Sequence, residues 1–336
     1  MREAMLYEKL DGKKILCRLC SHRCKIQEGK RGICSVRENR GGTLYTLVYD
    51  KVIARHVDPI EKKPLFHFLP GSYSYSIAAP GCNFKCLHCQ NADISQMPVD
   101  SNIIIGDDTP PGSIVDAALK YNCASISYTY TEPTIFFELA YETAMLASKA
   151  GLKNVFVTNG YITKEALAEI RPYLDGANID LKGFTDSFYR KVCGARLDRV
   201  LEAIKLYHEA GIWTELTTLI IPGLNDGPEE LRNIARFIAS LDPGIPWHVT
   251  QFHPTYKLMD LPRTPVETLR MARRIGLDEG LKYVYEGNVP GEGGENTFCH
   301  SCGATLIKRF GYVISQIMVR DGRCGSCGQP IPGVWA

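Results

Sequence analysis

From about residue 73 the chain settles into a regular alternation of apolar and polar positions. The runs YSYSIAA (73–79), ASISYTY (124–130), NVFVTN (154–159), ANIDLK (177–182), WTELTTLII (213–221) and WHVTQF (247–252) predict strands, being short, rich in β-branched and aromatic residues and bounded by turn formers. Helical spacing fills the gaps, near 112–120, 133–150, 163–173, 196–210, 229–240 and 264–279. In the fifth of these, Leu231, Ile234, Ala235 and Ile238 share one face. Six strands alternating with helices imply a parallel sheet with crossover helices. An open, partial (β/α)6 TIM-like barrel is the expected α/β architecture. A flat doubly wound sheet is the runner-up, because periodicity does not separate the two; the missing Gly-x-Gly-x-x-Gly after the first strand weakens it. Residues 1–70 are polar, turn-rich and aperiodic, and read as a cysteine-rich N-terminal extension. The barrel is expected over 71–290. A glycine-rich stretch, GEGGENTF, then leads into a cysteine-rich C-terminal module over 291–336.

Composition narrows the class. The chain has 336 residues and a formal net charge of +2, so no global field points to nucleic acid or to a membrane surface. No apolar run reaches membrane-spanning length, and the segment MREAMLYEKLDGKK lacks a secretory apolar core. A cytoplasmic protein is the working expectation. Thirteen cysteines on so long a chain suit metal sites better than a disulfide scaffold.

Eleven of those cysteines fall into three groups. Cys82, Cys86 and Cys89 form C-x3-C-x2-C with no fourth cysteine nearby. An iron–sulfur cube normally takes four thiolates, so three would leave one iron free to bind S-adenosylmethionine (SAM) through its amino and carboxylate groups. Zinc with His88 as fourth ligand, or a loop of unmetallated thiols, are the competing readings. Cys299, Cys302, Cys324 and Cys327 form two C-x2-C pairs, each followed by glycine as in the knuckles of zinc ribbons and rubredoxins; zinc or a single iron fits them. Cys17, Cys20, Cys24 and Cys34 suit zinc or a second cluster, and their charged flanks lean toward zinc. Cys123 reads as a buried small hydrophobe, and Cys193 as a structural thiol, with a radical-relay thiol as the alternative.

In a parallel barrel the active site gathers at the C-terminal strand ends. These ends carry the cysteine loop, Tyr130-Thr131-Glu132-Pro133, Thr158-Asn159-Gly160, Asp180-Leu181-Lys182-Gly183, Ile221 to Asp226, and Gln251-Phe252-His253-Pro254. Glu132 before Pro133 also suits a helix N-terminus. Asp180 and Lys182, two apart on a strand, point to the same side. They read either as a structural ion pair or as contacts to the ribose or carboxylate of SAM.

The strings CNFKCLHCQN, SYTYTEPT, FVTNGY, NIDLKGF, LTTLIIPGLND, QFHPTYKLMDLPRTP and YVYEGNVPG, in this order, resemble the AmmeMemoRadiSam-system radical SAM enzymes, relatives of the pyruvate formate-lyase activating enzyme. The resemblance implies that Cys82, Cys86 and Cys89 ligate a [4Fe–4S] cluster. It implies that Glu132 meets the SAM amino group, although both glycines of the usual Gly-Gly-Glu are replaced by Tyr130 and Thr131. Asn159, Asp180, Lys182 and His253 match polar positions near SAM, Ile220 to Asn225 the stretch against adenine, and His88 an aromatic position before the last cluster cysteine. Val157 stands where an Asp is usual. The implied activity is reductive cleavage of SAM to a 5′-deoxyadenosyl radical that takes hydrogen from an unidentified substrate. A glycyl radical enzyme activase is one alternative, and a non-catalytic iron–sulfur and zinc electron-transfer or scaffold protein another. Implied partners are an electron donor such as flavodoxin or ferredoxin, a protein substrate, and neighbours of the Memo and AMMECR kinds.

Overall fold

The six alternating runs become consecutive strands of one eight-stranded sheet in the computed structural model, which describes residues 1–335. In chain order the sheet contains β1 (Ala54–Pro59), β2 (Tyr73–Ala78), β3 (Ser125–Tyr128), β4 (Lys153–Thr158), β5 (Gly176–Asp180), β6 (Trp213–Ile220), β7 (Trp247–Gln251) and β8 (Val284–Gly287). Spatial order follows sequence order from β1 to β8 without a reversal. That excludes the doubly wound alternative, whose order reverses at a switch point. Strands β2 to β8 run parallel, and β1 is an antiparallel edge on β2. The two edge strands do not pair, so the barrel is open. The expectation of six strands is thus corrected to seven parallel strands and one antiparallel strand.

Helices α1 (Pro111–Lys120), α2 (Phe137–Lys149), α3 (Lys164–Ile170), α4 (Leu197–Glu209), α5 (Pro228–Leu241) and α6 (Val266–Asp278) occupy the expected crossovers. Thr163 caps α3 by accepting from the Ala166 amide at 3.2 Å. On α5 the four residues Leu231, Ile234, Ala235 and Ile238 are fully buried. Each large aliphatic side chain so buried contributes about 1.5–3 kcal/mol. Strand residues alternate as a pleat requires: Asn178 and Asp180, Thr217 and Leu219, and His248 and Thr250 line the interior. Ile179, Leu216, Ile220 and Val249 between them join the core under the helices.

Both cysteine-rich segments are fastened to the barrel by buried charge. Arg37, on a short strand Arg37–Arg40, donates to Glu138 of α2 at 2.5 and 2.7 Å, and the Met5 amide donates to the same carboxylate at 2.7 Å. Arg309, on the C-terminal strand Thr305–Phe310, donates to the Phe66 carbonyl at 2.8 Å and stacks its guanidinium 4.2 Å from the Phe66 ring. His67 is held between the Pro332 carbonyl at 2.7 Å and the Tyr285 hydroxyl at 2.6 Å. Among the described residues no helix is long and apolar enough to cross a membrane.

Candidate active site

Strand β2 ends at Ala78, and the chain then turns through Gly81 at φ +107° into the cysteine loop. A Cβ on Gly81 would stand 2.8 Å from Val36 Cγ1, so only glycine fits this turn. The loop is pinned from both sides. The Lys85 and Leu87 amides donate to the Cys193 and Val192 carbonyls, each at 2.9 Å, and Gln96 Nε2 donates to the Phe84 carbonyl at 3.2 Å. Donors also reach the sulfurs: Phe84 N–H at 3.4 Å and Asn159 Nδ2 at 3.7 Å from Cys82, and Ser95 Oγ at 3.1 Å from Cys89. Burial pushes the Cys82 and Cys89 thiols up, while a hydrogen bond from Cys193, with Lys182 nearby, pulls Cys86 down.

The loop opens onto a cavity of about 490 Å³ at the C-terminal ends of the strands. Cys82, Cys86, Cys89, His88, Glu132, Asn159, Asp180 and Lys182 all line it. His253 does not: it lies two residues beyond the end of β7, exposed to solvent. Of the stretch expected against adenine, none lines the cavity; its neighbour Leu219 does. Asn225 instead ties two loops together, donating to the Lys182 carbonyl at 2.7 Å and the Leu219 carbonyl at 2.9 Å.

Glu132 is a helix cap as well as a cavity residue. One carboxylate oxygen accepts from the Thr134 amide at 3.0 Å, the Thr134 hydroxyl at 2.5 Å and the Thr158 hydroxyl at 2.8 Å. The other accepts only from the Asn159 amide at 2.9 Å, so it has capacity for another donor. Burial raises the Glu132 pKa, and these four bonds oppose the rise. Lys182 Nζ donates to Asp180 Oδ2 at 2.7 Å. Burial opposes the lysine charge, yet the Asp180 carboxylate holds its pKa well above the ordinary value. His88 is buried with Nδ1 unpartnered, and burial followed by Lys182 pushes its pKa down to about 3, so its ring is neutral.

The cysteine groups differ in spacing. Cys299, Cys302, Cys324 and Cys327 converge within 4.8 Å, with Sγ pairs at 3.7 and 3.8 Å. A tetrahedral ion with bonds of about 2.3 Å spaces its sulfurs about 3.8 Å apart, so this group fits one metal ion. The Cys327 and Ser326 amides lower the Cys324 thiol, while the hydrogen bonds shared among the four sulfurs raise Cys327; a metal would bind all four as thiolates. Among the described residues the one other convergent set is Cys86, His88 and Cys193. Cys82, Cys86 and Cys89 are not gathered at single-ion spacing. A cube, which spreads its thiolates over separate irons, calls for such wider spacing.

Residues 76–238 match the family model described as the Radical SAM superfamily. An uncharacterized protein of Methanocaldococcus jannaschii is 52% identical over 98% of this chain and 99% of its own length. The pyruvate formate-lyase-activating enzyme of Clostridium pasteurianum is 21% identical over 61% of this chain and 89% of its own. The chain belongs to the radical SAM superfamily. The solved structure of Streptococcus suis SuiB bound to S-adenosylmethionine superposes with a TM-score of 0.51 at 16% identity, covering 68% of this chain and 53% of the other. A radical SAM methyltransferase from Sphaerobacter thermophilus gives 0.50 at 14%, covering 69% and 70%. These likenesses show a shared fold. The chain is a radical SAM enzyme related to the pyruvate formate-lyase-activating enzymes, and a [4Fe–4S] cluster and SAM are the cofactors the superfamily implies.

The structure adds Lys63, His248 and Tyr312, which the sequence did not single out, to the cavity. Lys63 and Tyr130 flank the cavity and share Asp58: Lys63 Nζ donates to it at 2.6 Å, and the Tyr130 hydroxyl donates to the same oxygen. Burial lowers the Lys63 pKa to about 8. His248 lines the interior and meets Glu215 at 2.7 Å. Tyr312, from the C-terminal hairpin, reaches the cavity as well. Lys63 lies in the aperiodic N-terminal stretch and Tyr312 in the C-terminal one, so only tertiary contact brings them here.

Proposed function

We propose that this radical SAM enzyme binds its cluster through Cys82, Cys86 and Cys89 and seats SAM against Glu132, Asn159, Asp180 and Lys182. The observation that carries this reading is that all seven residues line one cavity at the strand ends. Bound there, the cluster and SAM supply reductive cleavage of the sulfonium to methionine and a 5′-deoxyadenosyl radical. The less occupied oxygen of Glu132 receives the SAM ammonium. The Asp180–Lys182 pair offers an acceptor for ribose hydroxyls and a donor for the carboxylate. Neutral His88 presents a flat, uncharged ring. The apolar strand residues Val157 and Leu219 help to keep water out of the cavity.

A hydrogen-abstracting enzyme of the AmmeMemoRadiSam kind is the finer assignment, supported by the seven ordered strings between Cys82 and Gly291, with CRLCSHRC before them and the cysteine pairs after them. A protein that presents one reacting group at the mouth of the cavity is the substrate class we favour. Activation of a glycyl radical enzyme is the second reading, favoured by the Clostridium pasteurianum relative. Zinc is assigned to Cys299, Cys302, Cys324 and Cys327, on their tetrahedral spacing. The test is anaerobic reconstitution, reduction with dithionite, and assay for 5′-deoxyadenosine. Its formation from SAM supports the reading, and its absence with a reduced, intact cluster overturns it.

A further inference from the structure

Cys17, Cys20, Cys24 and Cys34 line a cavity of their own between the N-terminal extension and the barrel. Three of the four are buried, and Cys24 is half-buried. No three of these sulfurs converge within 4.8 Å, unlike the C-terminal group whose spacing suits one ion. They share this wider spacing with Cys82, Cys86 and Cys89. Arg37 lines the same cavity, is buried, and has an Nε–H with no hydrogen-bond partner. A buried N–H without an acceptor costs about 1–3 kcal/mol, and sulfur of a bound cluster would satisfy it.

This cavity shares a wall with the active site. The space where a Gly81 side chain would project is closed by Val36 and by the Cys34 carbonyl oxygen at 3.5 Å, and Gly81 directly precedes Cys82. His22 Nε2 lies 2.8 Å from the Asn83 carbonyl oxygen, and Asn83 Oδ1 accepts from Asn159 at 2.7 Å. On the outer side Lys25 and Lys30 are exposed, as are Arg23 and Arg31, which pair with Glu165 and Glu38. Residues 1–40 hold eleven Lys and Arg against five Asp and Glu, an excess that Glu138, Glu142 and Glu165 offset only in part.

We infer that Cys17, Cys20, Cys24 and Cys34 hold a second iron–sulfur cube, which relays single electrons to the cluster of Cys82, Cys86 and Cys89. The electron comes from an acidic, low-potential flavin or iron–sulfur protein, drawn to the basic surface by complementary charge. That donor loses one electron, the outer cube takes it and passes it inward, and no bond or proton moves. The relay rests on the radical SAM reading of the main cavity; the presence of the second cube does not.

Replacing the N-terminal cysteines would risk the fold, so the test removes the other set. The full chain carrying Cys82→Ala, Cys86→Ala and Cys89→Ala is reconstituted anaerobically with iron and sulfide. It is expected to retain about four irons and about four acid-labile sulfides and, once reduced, an electron paramagnetic resonance signal that SAM does not alter. A variant with no bound sulfide and zinc in the N-terminal group would overturn the cluster. In the wild type, mixing with substoichiometric reduced flavodoxin and rapid freezing is expected to show the SAM-insensitive signal before the SAM-sensitive one. The opposite order would overturn the relay while leaving the radical SAM reading intact.

Discussion

Lys182 Nζ sits 2.7 Å from Asp180 Oδ2 on the lip of the cavity that the three cluster-motif cysteines share. The pair is partly exposed, with 16% and 33% of the respective side chains open to solvent, so each partner keeps room for a ligand. Losing a charged hydrogen-bond partner costs about 1.5–3 kcal/mol. Lys182→Met is therefore expected to weaken SAM binding by about tenfold to hundredfold while the cluster still assembles. Equilibrium binding of SAM alongside iron content checks it; unchanged affinity would assign the pair a structural role alone.

Glu132 joins a helix cap to the cavity. Glu132→Gln places an amide where the Asn159 N–H donates and where SAM is expected to offer an ammonium. Losing the carboxylate cap costs about 1 kcal/mol, seen as a lower melting temperature of the cluster-free protein. SAM affinity is expected to fall by at least about tenfold. A variant with the stability loss and full SAM affinity would confine Glu132 to capping.

Asp58 gives an acid signature. Burial pushes its carboxyl up, but Lys62, Lys63 and Tyr130 outweigh this and hold it below the ordinary 3.8. A carboxylate with a lowered folded pKa adds stability that is intact above that ordinary value and drains away as pH falls through the folded one. Asp58→Asn should flatten the stability loss below about pH 4. At neutral pH it should cost about 3–5 kcal/mol, because buried Lys63 loses its partner. Urea unfolding between pH 3 and 7 measures both effects; parallel curves for variant and wild type would contradict the assignment.

The C-terminal metal is expected to be structural. Cys302→Ser, or stripping with a chelator, should loosen the segment beyond residue 296, because the four thiols are its central cross-link. Limited proteolysis should then cut there while the absorbance of the Cys82 loop's cluster persists. Loss of both together would mean that the module supports the cluster directly.

The barrel was legible wherever one rule governed a segment. Strands with apolar and polar residues in alternation, and α5 with its single apolar face, stand where the pattern puts them. β8 is only four residues, VYEG, and β1 reads ARHVDP with three exposed residues, so both become strands by pairing at an edge. The reversal-free strand order comes from register and is invisible to periodicity. Asp180 and Lys182 were readable because i and i+2 on a strand share a side. His253 was misleading, since the chain leaves the sheet at Gln251 and turns outward. The burial of Cys17, Cys20 and Cys34 beneath charged neighbours was unreadable too, because it depends on Arg37 meeting Glu138 a hundred residues away.

Everything at the main cavity turns on an iron that the polypeptide leaves uncoordinated. Electron–nuclear double resonance on the reduced enzyme, with SAM labelled with ¹⁵N at the amino group and ¹⁷O at the carboxylate, reports on that iron directly. Hyperfine coupling to both labels is the expected result, with the signal lost in the Cys82→Ala variant. A reduced, intact cube with no coupling to either label would contradict the account.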